Sequence, residues 1–354
     1  GAAWLDHGVL QEAGDAPATG VGTLGRMQAW HLPESPGQYV WGEVPTPEAG
    51  PGQVRVRVVA SALNHMDLWL TTGLPKPPAF PHVPGNDVAG IVDQVGEGVD
   101  RWSPGDEVVV NTALVPAEAL AAGVDSVLHP QMRLLGEHCW GGHGEFCVVP
   151  AHQLEAKPAG RSWAEVASYP VCGTTAWRLL RRARIAEGDT VLVTGIGGGV
   201  ATFALLLARH MGARVFATSR DPRKRAMAME LGAKDAFDSA EPYPVTADIV
   251  VDSIGPATWE YSMRTLRHGG RMCVCGGTSG PKVELNLPRL FFKQLDIIGA
   301  SCGSQEEFRH VTDLVADGLP VIVDEVVPLS EYPAALERLR TATQLGKIVL
   351  EHPQ

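Results

Sequence analysis

Residues 190–220, TVLVTGIGGGVATFALLLARHMGARVFATSR, constrain the fold more than any other stretch. Thr190 to Thr194 is an apolar, β-branched run with the length of a buried parallel strand. Gly195, Gly197, Gly198 and Gly199 follow at once, and Val200 opens a run to Met211 that is apolar except at Arg209 and His210. That run predicts a helix buried against a sheet. Gly212 stands where a left-handed residue ends a helix, and Arg214 to Thr218 reads as a second strand. The unit has the size of a βαβ module, about 30 residues. In such a module the glycines turn the chain sharply out of the strand, admit a pyrophosphate to backbone N–H groups and let helix pack on strand. The helix N-terminus adds partial positive charge. The last small position is Ala201, which the fingerprint tolerates. Gly195, Gly197, Gly198, Gly199 and Val200 are the candidate dinucleotide-binding residues.

The end of the second strand selects the dinucleotide. An NAD site carries an acid there for the ribose hydroxyls. Here Thr218, Ser219 and Arg220 stand in that place, and Asp221 comes only after the arginine. Arg220 can bond a 2′-phosphate bidentately, Ser219 can donate one hydrogen bond, and Lys224 or Arg225 adds charge. This predicts NADP(H) over NAD(H).

The chain has 354 residues, enough for two domains. Before the glycine turn the text is β-rich. In VRVRVV, Val54, Val56 and Val58 share one face, and Arg55 and Arg57 the other. VAGIVDQVG (88–96), GDEVVV (105–110) and GEFCVVP (144–150) complete an irregular β barrel or sandwich. Asn64 to Thr71 reads as a short helix closed by Gly73, and residues 111–140 as an insertion. From Ser162 strands alternate with helices, which means an α/β parallel sheet with helices on both faces. TTAWRLLRRAR (174–184) puts Arg178, Arg181, Arg182 and Arg184 on one solvated helix face. TWEYSMRTLRHGG (258–270) is expected to be a helix stopped by its two glycines. The final strand, KIVLE, is expected to return to the N-terminal β region. Residues 1–26 read as a flexible extension or a cloning remnant, with Met27 beginning the folded part.

A net charge of −11 excludes a broadly basic surface for nucleic acid or anionic membrane. No apolar run reaches the roughly 18 residues that span a bilayer. Six dispersed cysteines fit a reducing, cytoplasmic setting.

NHMDLWLTTG (64–73), PHVPGNDVAGIVDQVGEGV (81–99), PGDEVVV (104–110), TGIGGGVA (194–201), LGA (231–233), VVDSIG (250–255) and GKIVLE (346–351) occur in one order. In these motifs the chain resembles the medium-chain dehydrogenase/reductase superfamily, and within it the zinc-independent quinone oxidoreductase branch. The resemblance implies a GroES-like β-rich catalytic domain, residues 27–160 plus 305–354. A doubly wound Rossmann domain, residues 161–304, is inserted in it, with the active site in the cleft between them. It also implies cytosolic homodimers or homotetramers in which strands near Leu295–Ser301 meet across a two-fold.

By the same resemblance, the catalytic zinc ligands of alcohol dehydrogenases map to Asn64, to the Gly85-Asn86-Asp87 motif and to Cys172. A catalytic zinc needs about three His, Cys or carboxylate ligands, so no zinc is expected there. Nor is a structural zinc expected in residues 111–140, where Cys139 is alone; His129, His138 and His143 are the runner-up ligands. Without zinc, the oxygen that gains charge during hydride transfer must be held by hydrogen-bond donors. Asn64, which the resemblance places beside the nicotinamide, is the first candidate, with helix capping as its other role. His65 either relays a proton or is structural, and Asp67 supports the site or caps a turn. Thr174 is placed by resemblance near the nicotinamide ribose or amide, and Gly276, Gly277 and Thr278 line the nicotinamide side. Tyr39, Trp69 and Trp140 shape a substrate slot or belong to the core.

The expected activity is NADPH-dependent hydride transfer to a small-molecule carbonyl substrate, a quinone or another conjugated carbonyl. An alcohol dehydrogenase or an enoyl-thioester reductase of the same superfamily is the alternative. An NADPH-binding sensor with little turnover is the alternative of another class.

Overall fold

The structure is a computed structural model that describes residues 25–121, 123 and 125–353. The extension expected over residues 1–26 lies outside them except for Gly25 and Arg26. The first half runs β1 (Arg26–His31), β2 (Val40–Pro45), β3 (Gln53–Ala62), α1 (His65–Thr72), β4 (Asp87–Val95), β5 (Glu107–Val110), β6 (Ala113–Leu114), α2 (Ala117–Ala121), β7 (Arg133–Leu134), β8 (Phe146–Pro150), β9 (Leu154–Ala156), α3 (Trp163–Val166) and α4 (Pro170–Arg182). The second half runs β10 (Thr190–Val193), α5 (Gly199–His210), β11 (Arg214–Thr218), α6 (Pro222–Glu230), β12 (Asp235–Phe237), β13 (Ala247–Asp252), α7 (Pro256–Thr265), β14 (Leu266–Val274), α8 (Leu287–Lys293), β15 (Asp296–Gly299), α9 (Gln305–Ala316), β16 (Val323–Pro328), α10 (Tyr332–Arg340) and β17 (Lys347–Glu351).

The alternation in β3 does what the pattern predicts: Val54, Val56 and Val58 are buried in the first sheet. That sheet has the order β16-β17-β3-β4-β5-β9, with β8 also on β3. The tail returns to it through β17, which pairs antiparallel with β3 in the register Val349↔Ala62. The second sheet is all parallel, in the order β12-β11-β10-β13-β14-β15. Its strand order reverses between β10 and β13, which opens a crevice at their carboxyl ends. The opening module forms as β10, α5 and β11, and Ala201 to Ala208 of α5 are all buried. One apolar cluster joins the two sheets, from Ala60, Ala62, Val109 and Val349 to Val191, Val193, Phe203 and Ile249.

Two local expectations are corrected. Arg178 is not solvated: it is 5% exposed and bridges Asp125 and Glu307. Helix α9 packs on that side of α4 and brings Glu307 with it, so the arginine stripe is split between a buried clamp and the surface. The helix expected over 258–270 ends at Thr265, and Leu266 begins β14. Pairing with β13 starts at once (Ala247↔Leu266), so the backbone around Gly269 and Gly270 is irregular strand rather than helix.

Candidate active site

Asn64 caps α1 in an extended conformation (φ −132°, ψ 164°). Its backbone N–H donates to Asp67 Oδ2 at 2.7 Å, and the Asp67 N–H to the Asn64 carbonyl. The carboxamide is turned toward Asp87, Lys347 and Cys172. Its Nδ2 donates to Asp87 Oδ2 at 2.9 Å. Its Oδ1 accepts from Lys347 Nζ at 2.8 Å and faces the Cys172 thiol at 3.6 Å.

Asp87, the first residue of β4, is fully buried. Its Oδ1 accepts from the Val171 N–H at 2.8 Å, so the carboxylate also sits at the positive end of α4. Lys347, the first residue of β17, adds 2.8 Å and 2.7 Å hydrogen bonds to Asp87 Oδ2 and the Leu63 carbonyl. Burial works against the charge on Lys347, but the neighbouring Asp87 outweighs it and holds the lysine above its ordinary value. Burial pushes Cys172 up to about 11 despite Lys347, so Cys172 is a neutral thiol. The buried ion pair needs these hydrogen bonds to offset its desolvation.

This donor set does not fit a zinc ion. It offers one carboxylate, one thiol and an amide whose oxygen is spent on an ammonium already seated among them. Asn86 is turned away, its Nδ2 donating to the Leu135 carbonyl at 2.5 Å. The three runner-up histidines are dispersed. His129 and His138 accept from the Gln131 and Leu134 N–H groups, while His143 is buried beside Ser61 and Asp67. Among the described residues no three His, Cys, Asp or Glu side chains converge on a metal position.

A second buried network lies behind Asn64. His143 Nε2 is 3.1 Å from Asp67 Oδ1, and the Ser61 hydroxyl is 2.9 Å from both His143 Nδ1 and His352 Nε2. Tyr39 donates to the Asp67 carbonyl at 2.8 Å, and Tyr332 lies 3.4 Å from its carboxylate. Burial pushes His352 down to about 3. Burial, and then Lys347, push His65 down to about 4, so its imidazole is neutral at pH 7 and lies beside Trp69. Trp140 donates to the Pro81 carbonyl at 2.8 Å.

At the glycine turn, Gly198 caps α5 and supplies no side chain to the first-turn N–H groups, which include those of Gly199 and Val200. Gly197 has φ 116° and carries the Lys224 stem against it. Gly195 contacts Ile254. Arg220 is exposed, with no hydrogen bond or ion pair to the other described residues. Ser219 Oγ accepts from the Asp221 N–H at 3.1 Å. Arg223 holds Asp221 down at about 2. Arg225 donates to the Ser219 carbonyl at 2.6 Å. Lys224 departs from the expected phosphate role: it is 8% exposed and its Nζ donates to the Ala342 carbonyl at 2.7 Å. Thr174 is 1% exposed and its hydroxyl bonds back to the Pro170 carbonyl at 2.5 Å. Gly276, Gly277 and Thr278 follow β14 beside the end of β13, where the Thr278 N–H donates to the Ser253 carbonyl.

Lys347, Ser61 and His352 went unassigned from sequence, and His143 was considered only as a runner-up zinc ligand. GKIVLE held the lysine in view, but nothing local marks it as buried.

The chain matches the alcohol dehydrogenase GroES-like domain over residues 50–159 and the zinc-binding dehydrogenase family over residues 199–317. It is 30% identical over 325 residues to the crotonyl-CoA reductase of Streptomyces collinus, covering 78% of this chain and 73% of that protein. A solved NAD-dependent alcohol dehydrogenase is 34% identical, with a TM-score of 0.86 over 92% of this chain and 99% of that one. A 2-octenoyl-CoA carboxylase reductase, solved with NADP and 2-octenoyl-CoA, is 28% identical, with a TM-score of 0.85 over 92% and 88%. The chain belongs to the medium-chain dehydrogenase/reductase superfamily and is a nicotinamide-dependent oxidoreductase.

Proposed function

We propose that the protein reduces the carbon–carbon double bond of an α,β-unsaturated thioester with NADPH, without a catalytic metal. The observation that carries this reading is the Asn64 carboxamide, held by Asp87 and Lys347 where a metal would have to polarise an alcohol or aldehyde. The names of the crotonyl-CoA and 2-octenoyl-CoA relatives support a thioester over the quinone expected from sequence.

NADPH, when bound, supplies the hydride. The uncapped N-terminus of α5 suits its pyrophosphate. Arg220 and Ser219 suit the 2′-phosphate. Reduction at the β-carbon leaves negative charge on the thioester oxygen, and a proton must reach the α-carbon. Asn64 Nδ2 carries two N–H groups, and Asp87 takes one. The second donates to that oxygen as its charge develops. His65, neutral at pH 7, stands beside the same carboxamide in sequence and takes no cationic part.

The test is NADPH oxidation against crotonyl-CoA, acryloyl-CoA, quinones and aldehydes, repeated with NADH. The expected result is the highest kcat/KM with an enoyl thioester and NADPH. A quinone preference, or aldehyde turnover lost on chelation, overturns the reading.

No helix among the described residues is long and apolar enough to cross a membrane. The exposed edge strand β15, with Ile297 and nearby Phe291 and Phe292 in water, supports pairing with a second copy. Sedimentation of the purified chain tests this, and a monomer overturns it.

A further inference from the structure

Lys347 reaches the site from beneath the glycine turn. The Gly346 N–H donates to the Gly197 carbonyl at 2.9 Å. A Cβ on Gly199 would stand 2.9 Å from Lys347 Cδ and 2.5 Å from Cys172 Sγ. The absent side chain at Gly199 therefore makes room for the lysine stem and the thiol. The ammonium has three N–H groups, and three oxygens take them: Leu63 O at 2.7 Å, Asn64 Oδ1 at 2.8 Å and Asp87 Oδ2 at 2.8 Å. Cys172 Sγ lies 3.8 Å away. The lysine is 3% exposed. A saturated, buried ammonium has no N–H left for substrate and is not placed to act as an acid. Yet Asn64, Asp87 and Cys172 are positions where the superfamily resemblance puts metal ligands.

We propose that Lys347 is a positioning residue that replaces a metal cation in this site. It neutralises Asp87 and excludes a second cation. It also holds the oxygen end of the Asn64 carboxamide, so that the NH2 end faces Asp87 and the substrate oxygen. The orienting half rests on the thioester-reductase reading; the exclusion half does not.

Two experiments test it. Lys347→Met alone buries Asp87 without a counter-charge, so the kinetic variant is D87N/K347M, which removes both charges together. It is expected to melt cooperatively and lose about 100-fold in kcat with crotonyl-CoA, with KM for NADPH changed less than about threefold. A kcat loss under about tenfold overturns the proposal. The second readout is bound zinc after dialysis, by elemental analysis. Asn64→Cys adds a third donor to Asp87 and Cys172. N64C is expected to hold almost no zinc, and N64C/K347M about one ion per chain. Stoichiometric zinc in N64C, or none in either variant, overturns the exclusion. If the wild type reduces no enoyl thioester, the functional reading falls and the zinc measurement alone decides the role of Lys347; it also decides if D87N/K347M fails to fold.

Discussion

Arg220 and Lys347 are two cations on either side of one glycine turn, built in opposite ways. Arg220 stands in solvent, with no partner among the described residues. Lys347 is buried, with every N–H committed to an oxygen. An exposed cation is cheap to keep and to change, because water solvates it when its ligand is absent. A buried one must be matched in place, because desolvation makes any loose contact costly. The difference suggests separate tasks: Arg220 selects a ligand, and Lys347 organises a site.

The largest effect that tests this contrast is at Asn64, the group Lys347 holds. Asn64→Ala is expected to lower kcat on the enoyl thioester by 10²–10³, about 3–4 kcal/mol of barrier, with NADPH affinity unchanged. A pure KM effect would break the comparison.

Glu137 sharpens it from the other side, as a buried acid without a lysine. It is 5% exposed and its Oε2 has no hydrogen bond among the described residues. Burial raises it from the ordinary 4.5 to about 7. The folded state thus favours the protonated acid, so its contribution is full below about pH 4.5 and lost as pH rises through 7. Glu137→Gln is expected to be more stable than wild type at pH 8, by about 2–3 kcal/mol, with the gain gone by pH 4. Denaturant melts at both pH values check this; a gain equal at both removes the pH argument.

Arg220→Ala should raise KM for NADPH about tenfold and leave NADH unchanged, roughly 1.4 kcal/mol for an exposed phosphate contact. Equal weakening of both cofactors would deny it a selecting role. Arg223→Ala is expected to be nearly silent in both assays, since Arg223 is spent on Asp221 in solvent. A tenfold NADPH effect there would move the phosphate site.

Much of the frame was legible because its determinants are local. The β10–α5–β11 module follows from a period, a glycine cluster and a length, and KIVLE is strand β17 residue for residue. Arg178 was misread because a helix face shows its spacing but not what packs on it. The helix expected through 270 stopped at Thr265 because sheet pairing captured Leu266. Asn64 stood out as a position where a metal ligand would be expected. What replaced the metal did not, since lysine is ordinarily exposed and a lone one at a strand start reads as surface.

The sequence by itself determined the dinucleotide turn and the parallel sheet, because each depends on residue type at short spacing; it was the family resemblance that marked Asn64, Asp87 and Cys172 as positions of metal ligands. Only the tertiary structure decided which cation stands among Asn64, Asp87 and Cys172. Lys347 meets Asp87 across 260 residues and Asn64 across 283. The return of β17 to β3 brings them together, and burial then turns their contact into a fixed charge.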